Sequence, residues 1–86
     1  MSALYRKRPI VVEAVRFVKP YKNATVFCPD IRFIFEGTNK IAWAIVPTKE
    51  GKARADIGDW IIKGIAGEFY PCKSDIFEAT YDPVKP

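Results

Sequence analysis

The stretch Asp56–Lys73, DIGDWIIKGIAGEFYPCK, predicts a β-hairpin around which the rest of the chain is arranged. Its arms are Trp60–Lys63 and Glu68–Cys72. The segment Gly64-Ile65-Ala66-Gly67 joins them, and glycine tolerates positive φ at both corners of such a turn. Side chains alternate between the two faces of a strand, so one face of the hairpin should lie in the core. The pattern leaves open which of its aromatic rings point outward.

The segment Ile10–Val18 predicts a strand N-terminal to the hairpin. Both of its faces are largely apolar, which favours a central position in a sheet and leaves Glu13 and Arg16 to find partners or water. The next segment, Tyr21–Cys28, is ambiguous. Asn23 is suited to cap one or two helical turns, which we favour, whereas the β-branched residues beside it favour a strand.

Further strands are predicted over Ile31–Glu36, Ile41–Pro47 and the polar segment Lys52–Ala55, which suits a sheet edge. After the hairpin, Ser74–Tyr81 predicts a short helix with Ser74 as its N-cap. The sequence therefore predicts an α+β domain with a small, curled, mainly antiparallel sheet of about five strands and one or two short helices.

The composition is that of one small folded domain spanning residues 1–86. Hydrophobic residues make up 49% of the chain and aromatic residues 14%, which excludes intrinsic disorder. A chain of 86 residues barely supports a core alone, so a homo-oligomer is expected. The net charge of +4 attracts anions but falls short of a duplex-DNA binder.

Few residues offer chemistry for catalysis or metal binding. Histidine is absent, which removes the commonest general base and zinc ligand. Cys28 and Cys72 match no metal or redox spacing and are interpreted as packed thiols, although Lys73 is placed to activate Cys72. The carboxylates of Asp56, Asp59 and Glu68 suit an acid–base pair or a cation, but turn-forming hydrogen bonds are commoner for such residues. We predict no catalytic residue, metal or cofactor.

The sequence shows no apolar run typical of a signal peptide or a membrane span. We therefore expect a cytoplasmic protein without membrane partners.

Several segments resemble the PGDYG family of small phage and prophage proteins: Tyr5–Val15 (YRKRPIVVEAV), Gly58–Gly64 (GDWIIKG), Gly67–Lys73 (GEFYPCK), Asp75–Phe77 and Thr80–Tyr81. Two positions depart from the motif that names the family. Ile57 stands where proline is typical, and Trp60 stands where tyrosine is. The resemblance implies a phage-encoded protein that acts in the cytoplasm of a bacterial host, and it supplies no catalytic residue.

Two hypotheses about function follow. The first is a non-enzymatic binding protein, such as an anti-defence sponge that sequesters an anionic nucleotide second messenger. Cations would pair with phosphate, aromatic rings would stack on a base and a carboxylate would accept hydrogen bonds. The alternative is a protein-interaction module that inhibits a host protein through the same residues. The candidate binding residues are Tyr5, Arg6, Arg8, Trp60, Glu68, Tyr70 and Lys73.

Overall fold

Two three-stranded antiparallel sheets and two short helices form the chain in a computed structural model that describes residues 1–85. The predicted α+β class with antiparallel strands and short helices is confirmed, and the strands number six, divided between the two sheets. The elements are β1 (Glu13–Arg16), α1 (Lys22–Phe27), β2 (Arg32–Glu36), β3 (Lys40–Thr48), β4 (Gly51–Asp56), β5 (Trp60–Lys63), β6 (Phe69–Cys72) and α2 (Ser74–Thr80).

The first sheet has the strand order β1-β5-β6 and contains the predicted hairpin as β5 and β6. The Gly64 N–H donates to the carbonyl of Glu68 at 2.7 Å, and the Gly67 N–H donates to the carbonyl of Gly64 at 3.0 Å. Of the two turn glycines only Gly67 has positive φ, at 81°. The turn therefore needs the freedom of glycine at one corner rather than at both.

The second sheet has the order β2-β3-β4, and β4 lies at its edge as its polar sequence predicted. The register places Ala44 opposite both Phe33 and Ala55, so these three side chains share a face. Ala44 and Ala55 are fully buried on that face. Their small side chains leave space for the larger rings that fill the core.

The core lies where β6 of the first sheet packs against β3 and β4 of the second. Phe17 is fully buried near its centre, with the ring of Phe33 at 5.8 Å and the ring of Tyr21 at 5.4 Å between centroids. The other buried members of the cluster are Ala24, Cys28, Ile31, Ala44, Val46, Ala55 and Ile61. Aromatic packing of this kind contributes more than the same apolar area alone.

The prediction of a central strand over Ile10–Val18 was wrong in both length and position. The strand β1 covers only Glu13–Arg16 and pairs on one side, with β5. Its partner spans four residues and ends at Lys63, so residues 10–12 have no strand to pair with among residues 1–85. Glu13 is exposed, and the Arg16 side chain donates to the carbonyl of Gly58 at 3.1 Å.

The helical interpretation of the segment after β1 is confirmed, but both predicted N-caps were wrong. Tyr21 precedes α1, because backbone hydrogen bonds to Pro20 and Tyr21 begin the helix before Asn23. Lys73 is the N-cap of α2, and Ser74 is its first residue. The Ser74 hydroxyl accepts from Arg16 at 3.3 Å instead of bonding to its own helix. Within residues 1–85, no helix has the length and apolarity to span a bilayer.

Candidate functional site

A groove of about 980 Å³ runs between the N-terminal segment and α2, and we call it the arm groove. Residues 7–12 form one wall, and Phe77 to Val84 contribute the other. Ala14 and Trp60 line it from the first sheet. The arm groove is largely apolar, which is typical of pockets that bind small molecules.

Both faces of the hairpin are covered, which resolves the direction of its aromatic rings. The register places Trp60 opposite Cys72 and Ile62 opposite Tyr70, so these four side chains share the face toward α2. Ile61 lies on the other face, within the core cluster. Because Ile61 and Ile62 are both fully buried, neither face of β5 is free.

Three rings form a continuous stack along the arm groove. Trp60 and Phe77 lie nearly parallel, with centroids 4.2 Å apart and planes 8° apart. Phe77 in turn packs on Tyr81 at 5.0 Å. Phe77 and Tyr81 are four residues apart, so they project from the same side of α2 and its C-cap. All three side chains are half-buried, which leaves ring surface at the groove.

The Trp60 Nε1 atom is buried and has no hydrogen-bond partner among the described residues. An indole N–H only donates, and leaving such a donor unsatisfied costs about 1–3 kcal/mol. Trp60 itself lines the arm groove, whereas its indole nitrogen is buried.

Tyr70 lies beside this stack on the same face of the sheet. Burial is the main cause that raises the pKa of Tyr70 to about 12, and the hydrogen-bonded Tyr81 hydroxyl adds to it. Tyr70 therefore stays protonated at neutral pH and is a packed neighbour of the groove rather than part of its described lining.

Charged groups of both signs line the arm groove. The Lys7 Nζ atom lies 5.9 Å from the centroid of the Tyr81 ring, within the range of a cation–π contact. Arg8 lies on the same wall, and Glu78 and Asp82 contribute carboxylates from the opposite one. The arm groove thus offers two cations beside an apolar aromatic surface, with carboxylates that would repel a poorly aligned anion.

Lys73 is engaged in a separate charge cluster. Its Nζ atom donates to Asp56 Oδ2 at 2.7 Å and to Asp59 Oδ2 at 3.0 Å. Arg54 Nε donates to the other Asp56 oxygen at 2.8 Å, while Asp59 Oδ2 also accepts from the Asp56 N–H at 2.8 Å. Hydrogen bonds from Lys73 and Arg54 lower the pKa of Asp56. The carboxylates of Asp56 and Asp59 in turn raise the pKa of Lys73.

This cluster connects the end of β4 to the end of β6. Since two carboxylates already share the Lys73 ammonium group, little of its charge remains for a ligand. Lys73 does not line the arm groove, so the structure does not place it in the candidate site. The carboxylates of Asp56 and Asp59 are already paired with Lys73, so the structure likewise does not support the acid–base or cation role considered for them.

Glu68 lies in the hairpin turn, away from the arm groove. Its carboxylate accepts from the Ala66 N–H at 3.2 Å and lies 3.7 Å from the Lys49 ammonium group. The contact with the Ala66 backbone fits the turn-forming role that the composition favoured.

The two thiols differ in burial. Cys28 is buried in the core, as predicted, whereas Cys72 is half-buried, and both are free. Burial raises the pKa of Cys28 and of Cys72, so the adjacent Lys73 does not activate the second thiol. Among residues 1–85 there is no group of three or more side chains that would hold a metal ion.

The structure brings only part of the predicted set together. Arg8 and Trp60 line the arm groove, Tyr70 packs behind it, and Tyr5 and Arg6 are exposed on the adjoining segment. Glu68 and Lys73 lie elsewhere. Sequence reasoning missed Lys7, Phe77 and Tyr81 as groove residues, although the spacing of the last two already indicated one helix face. Comparison of the chain with protein-family models, with curated proteins and with solved structures gave no match.

Proposed function

We propose that the chain is a non-catalytic binding protein and that the arm groove holds an anionic, aromatic small molecule such as a nucleotide. The observation that carries this proposal is the ring stack of Trp60, Phe77 and Tyr81 lying beside Lys7 and Arg8. Base-on-ring stacking contributes about 1–3 kcal/mol per base. The two cations pair with phosphate, and arginine does so in a bidentate manner.

The resemblance to the PGDYG family supports a more specific role. A phage-encoded protein that binds a nucleotide without converting it acts as a sponge, because it lowers the free concentration of a host second messenger. Such a sponge works in the bacterial cytoplasm, where the signal is made. We propose this anti-defence role for the chain.

Isothermal titration calorimetry against a panel of cyclic di- and oligonucleotides tests the proposal. We expect at least one member to bind and to quench the fluorescence of Trp60, measured in a Trp43→Phe background. Arg8→Gln should weaken that binding about tenfold or more, because it removes one charge-assisted phosphate contact. The matched control is Arg32→Gln, an exposed arginine of β2 in the other sheet.

Absence of heat with every member of the panel would refute the nucleotide ligand. Equal losses in the Arg8 and Arg32 variants would show that net charge, rather than the arm groove, accounts for binding. A nucleotide converted to another product during a long incubation would overturn the non-catalytic part of the proposal.

A second candidate is a protein-interaction module that inhibits a host protein. The exposed segment before the groove favours it, since Leu4 and Tyr5 are more than 90% exposed and precede Arg6. Tyrosine and arginine are enriched among residues that dominate protein interfaces. Heat denaturation of the purified protein discriminates the two, because a released nucleotide supports the sponge and a stoichiometric co-purified host protein supports the module.

A further inference from the structure

The surface of the chain is too large for a compact monomer of its mass. A 9.8 kDa monomer is expected to expose about 5,200 Å², whereas this chain exposes 6963 Å². Its radius of gyration of 14.6 Å likewise exceeds the roughly 12 Å expected for 86 residues. The surplus of about 1,800 Å² is more than the roughly 800 Å² that each partner buries in an interface of standard size.

The segment before β1 contributes to this surplus. Residues 1–11 are all exposed, and they contain five of the exposed large hydrophobic side chains, at Met1, Leu4, Tyr5, Ile10 and Val11. Ile10 and Val11 are 46% and 73% exposed, although both have strong strand propensity. An apolar, strand-forming segment at the surface is a site for association.

The same segment continues an open sheet edge. The strand β1 is hydrogen-bonded to β5 on one side, and no strand of the described chain lies on the other. Residues 10–12 extend this edge and contain neither proline nor charge, the usual means by which proteins protect an edge strand. Pro9 marks its N-terminal limit.

We propose that a second copy of this chain covers this edge. The two β1 edges pair antiparallel about a two-fold axis at Val12, and the three-stranded sheets join into one sheet of six strands. A second copy fits because an antiparallel edge is self-complementary under two-fold symmetry, and because the surplus area exceeds the roughly 800 Å² that each partner of a standard interface buries. The pairing extends β1 back to residue 10, where the predicted strand begins.

Charge excludes one register of the pairing. An axis at Glu13 would place two carboxylates directly opposite each other, which is unfavourable. An axis at Val12 instead places Val11 of one copy opposite Glu13 of the other, and Ile10 opposite Ala14. This register brings no two like charges together within the paired segment 10–14. The inference does not depend on the ligand proposed for the arm groove.

Sedimentation equilibrium over a range of concentrations tests the dimer. The wild type should be a dimer, and Val11→Asp should raise its dissociation constant about tenfold or more, because each Asp then faces Glu13 of the other copy. Val11→Lys should weaken the dimer much less than Val11→Asp, since an ammonium group faces that same carboxylate. Both variants should remain folded by circular dichroism, because Val11 is exposed in the single chain.

The matched control is Val26→Asp, which changes an equally exposed valine on α1, away from the edge. It should leave the dimer intact. A monomeric wild type at all concentrations would overturn the proposal. So would a dimer that tolerates Val11→Asp, or one that Val11→Lys and Val11→Asp weaken equally, because either result assigns the interface to another surface or register.

Discussion

At the scale of single residues, Asp59 is a nearly buried carboxylate that accepts two hydrogen bonds. It is 7% exposed, and its Oδ2 atom accepts from both the Asp56 N–H and the Lys73 ammonium group. One carboxylate thus satisfies a turn amide and neutralises a cation at the junction of β4, β5 and β6. Its place in a Gly-Asp turn was visible in the sequence, but its long-range partner was not.

Asp59→Ala should lower the free energy of unfolding by about 1–3 kcal/mol, because it leaves the Asp56 N–H without its acceptor. Asp59→Asn keeps an acceptor and loses only the charge, so it should cost less. Urea denaturation of both variants measures the difference. Equal losses would mean that the hydrogen bond to the amide contributes nothing and that the charge alone accounts for the effect.

Tyr70 gives the protein a predictable response to alkaline pH. Its pKa is raised to about 12 in the folded protein from 10.0, the ordinary tyrosine value expected on unfolding. The unfolded state therefore releases its proton first, and stability falls as the pH rises from 10 towards 12.

Tyr70→Phe should flatten this alkaline decline, although the raised pKa of Lys73 leaves part of it in place. Urea denaturation across the same pH range measures the slope, and the absorbance of phenolate reports the titration directly. Tyr5→Phe is the control, because Tyr5 is 93% exposed and should leave the slope as in the wild type. A Tyr70→Phe slope equal to that of the wild type would contradict the assignment.

At the scale of elements, the β5–β6 hairpin depends on one left-handed residue. Gly67 has φ of 81°, a conformation that costs a residue with a Cβ atom about 1–2 kcal/mol. Gly64 lacks positive φ, but a Cβ atom there would contact the Glu68 carboxylate. Gly67 is therefore required for its backbone conformation, whereas a Cβ atom at Gly64 would displace only the end of the flexible Glu68 side chain.

Gly67→Ala should lower the free energy of unfolding by about 1–2 kcal/mol, whereas Gly67→Asn should cost less, because asparagine tolerates the left-handed region better. Thermal unfolding followed by circular dichroism compares the two. No neighbouring atom lies within 4 Å of a Cβ at this position, so steric overlap does not add to the loss of free energy of unfolding. Equal losses for Ala and Asn would argue against a conformational cause.

At the scale of the whole molecule, the proposed ligand site and the proposed dimer edge meet in the N-terminal segment. Residues 1–8 contribute Lys7 and Arg8 to the arm groove, while residues 10–12 extend the sheet edge. All of residues 1–8 are exposed and lie outside every helix and strand. Residues 10–12 also line the arm groove, so deletion of residues 1–8 removes its two cations and leaves the proposed dimer edge in place.

Deletion of residues 1–8 should change the free energy of unfolding by about 1 kcal/mol or less, since it removes one cation–π contact and no buried side chain. Nucleotide binding should be lost, and the dimer should persist because residues 10–12 remain. Calorimetry and sedimentation of the truncated chain measure the two effects independently. A truncated chain that binds as tightly as the full one would exclude Lys7 and Arg8 as ligand contacts.

The local elements of this protein were predictable from its sequence because they depend on neighbours in the chain. Alternating residues identified β2 and β3, glycines identified the hairpin turn, and the polar segment Lys52–Ala55 identified the edge strand β4. For the candidate site, residue type alone identified Arg8 as a cation suited to pair with phosphate and Trp60 as a ring suited to stack on a base.

The tertiary structure alone decided which elements meet. Apolar periodicity predicted a strand over residues 10–18. It did not reveal that β5 is short and pairs with only four of these residues. Residue type made Lys73 a candidate ligand contact but did not reveal the two carboxylates that already share its charge. Both outcomes depend on partners more than ten residues away in sequence, and local propensity carries no information about such partners.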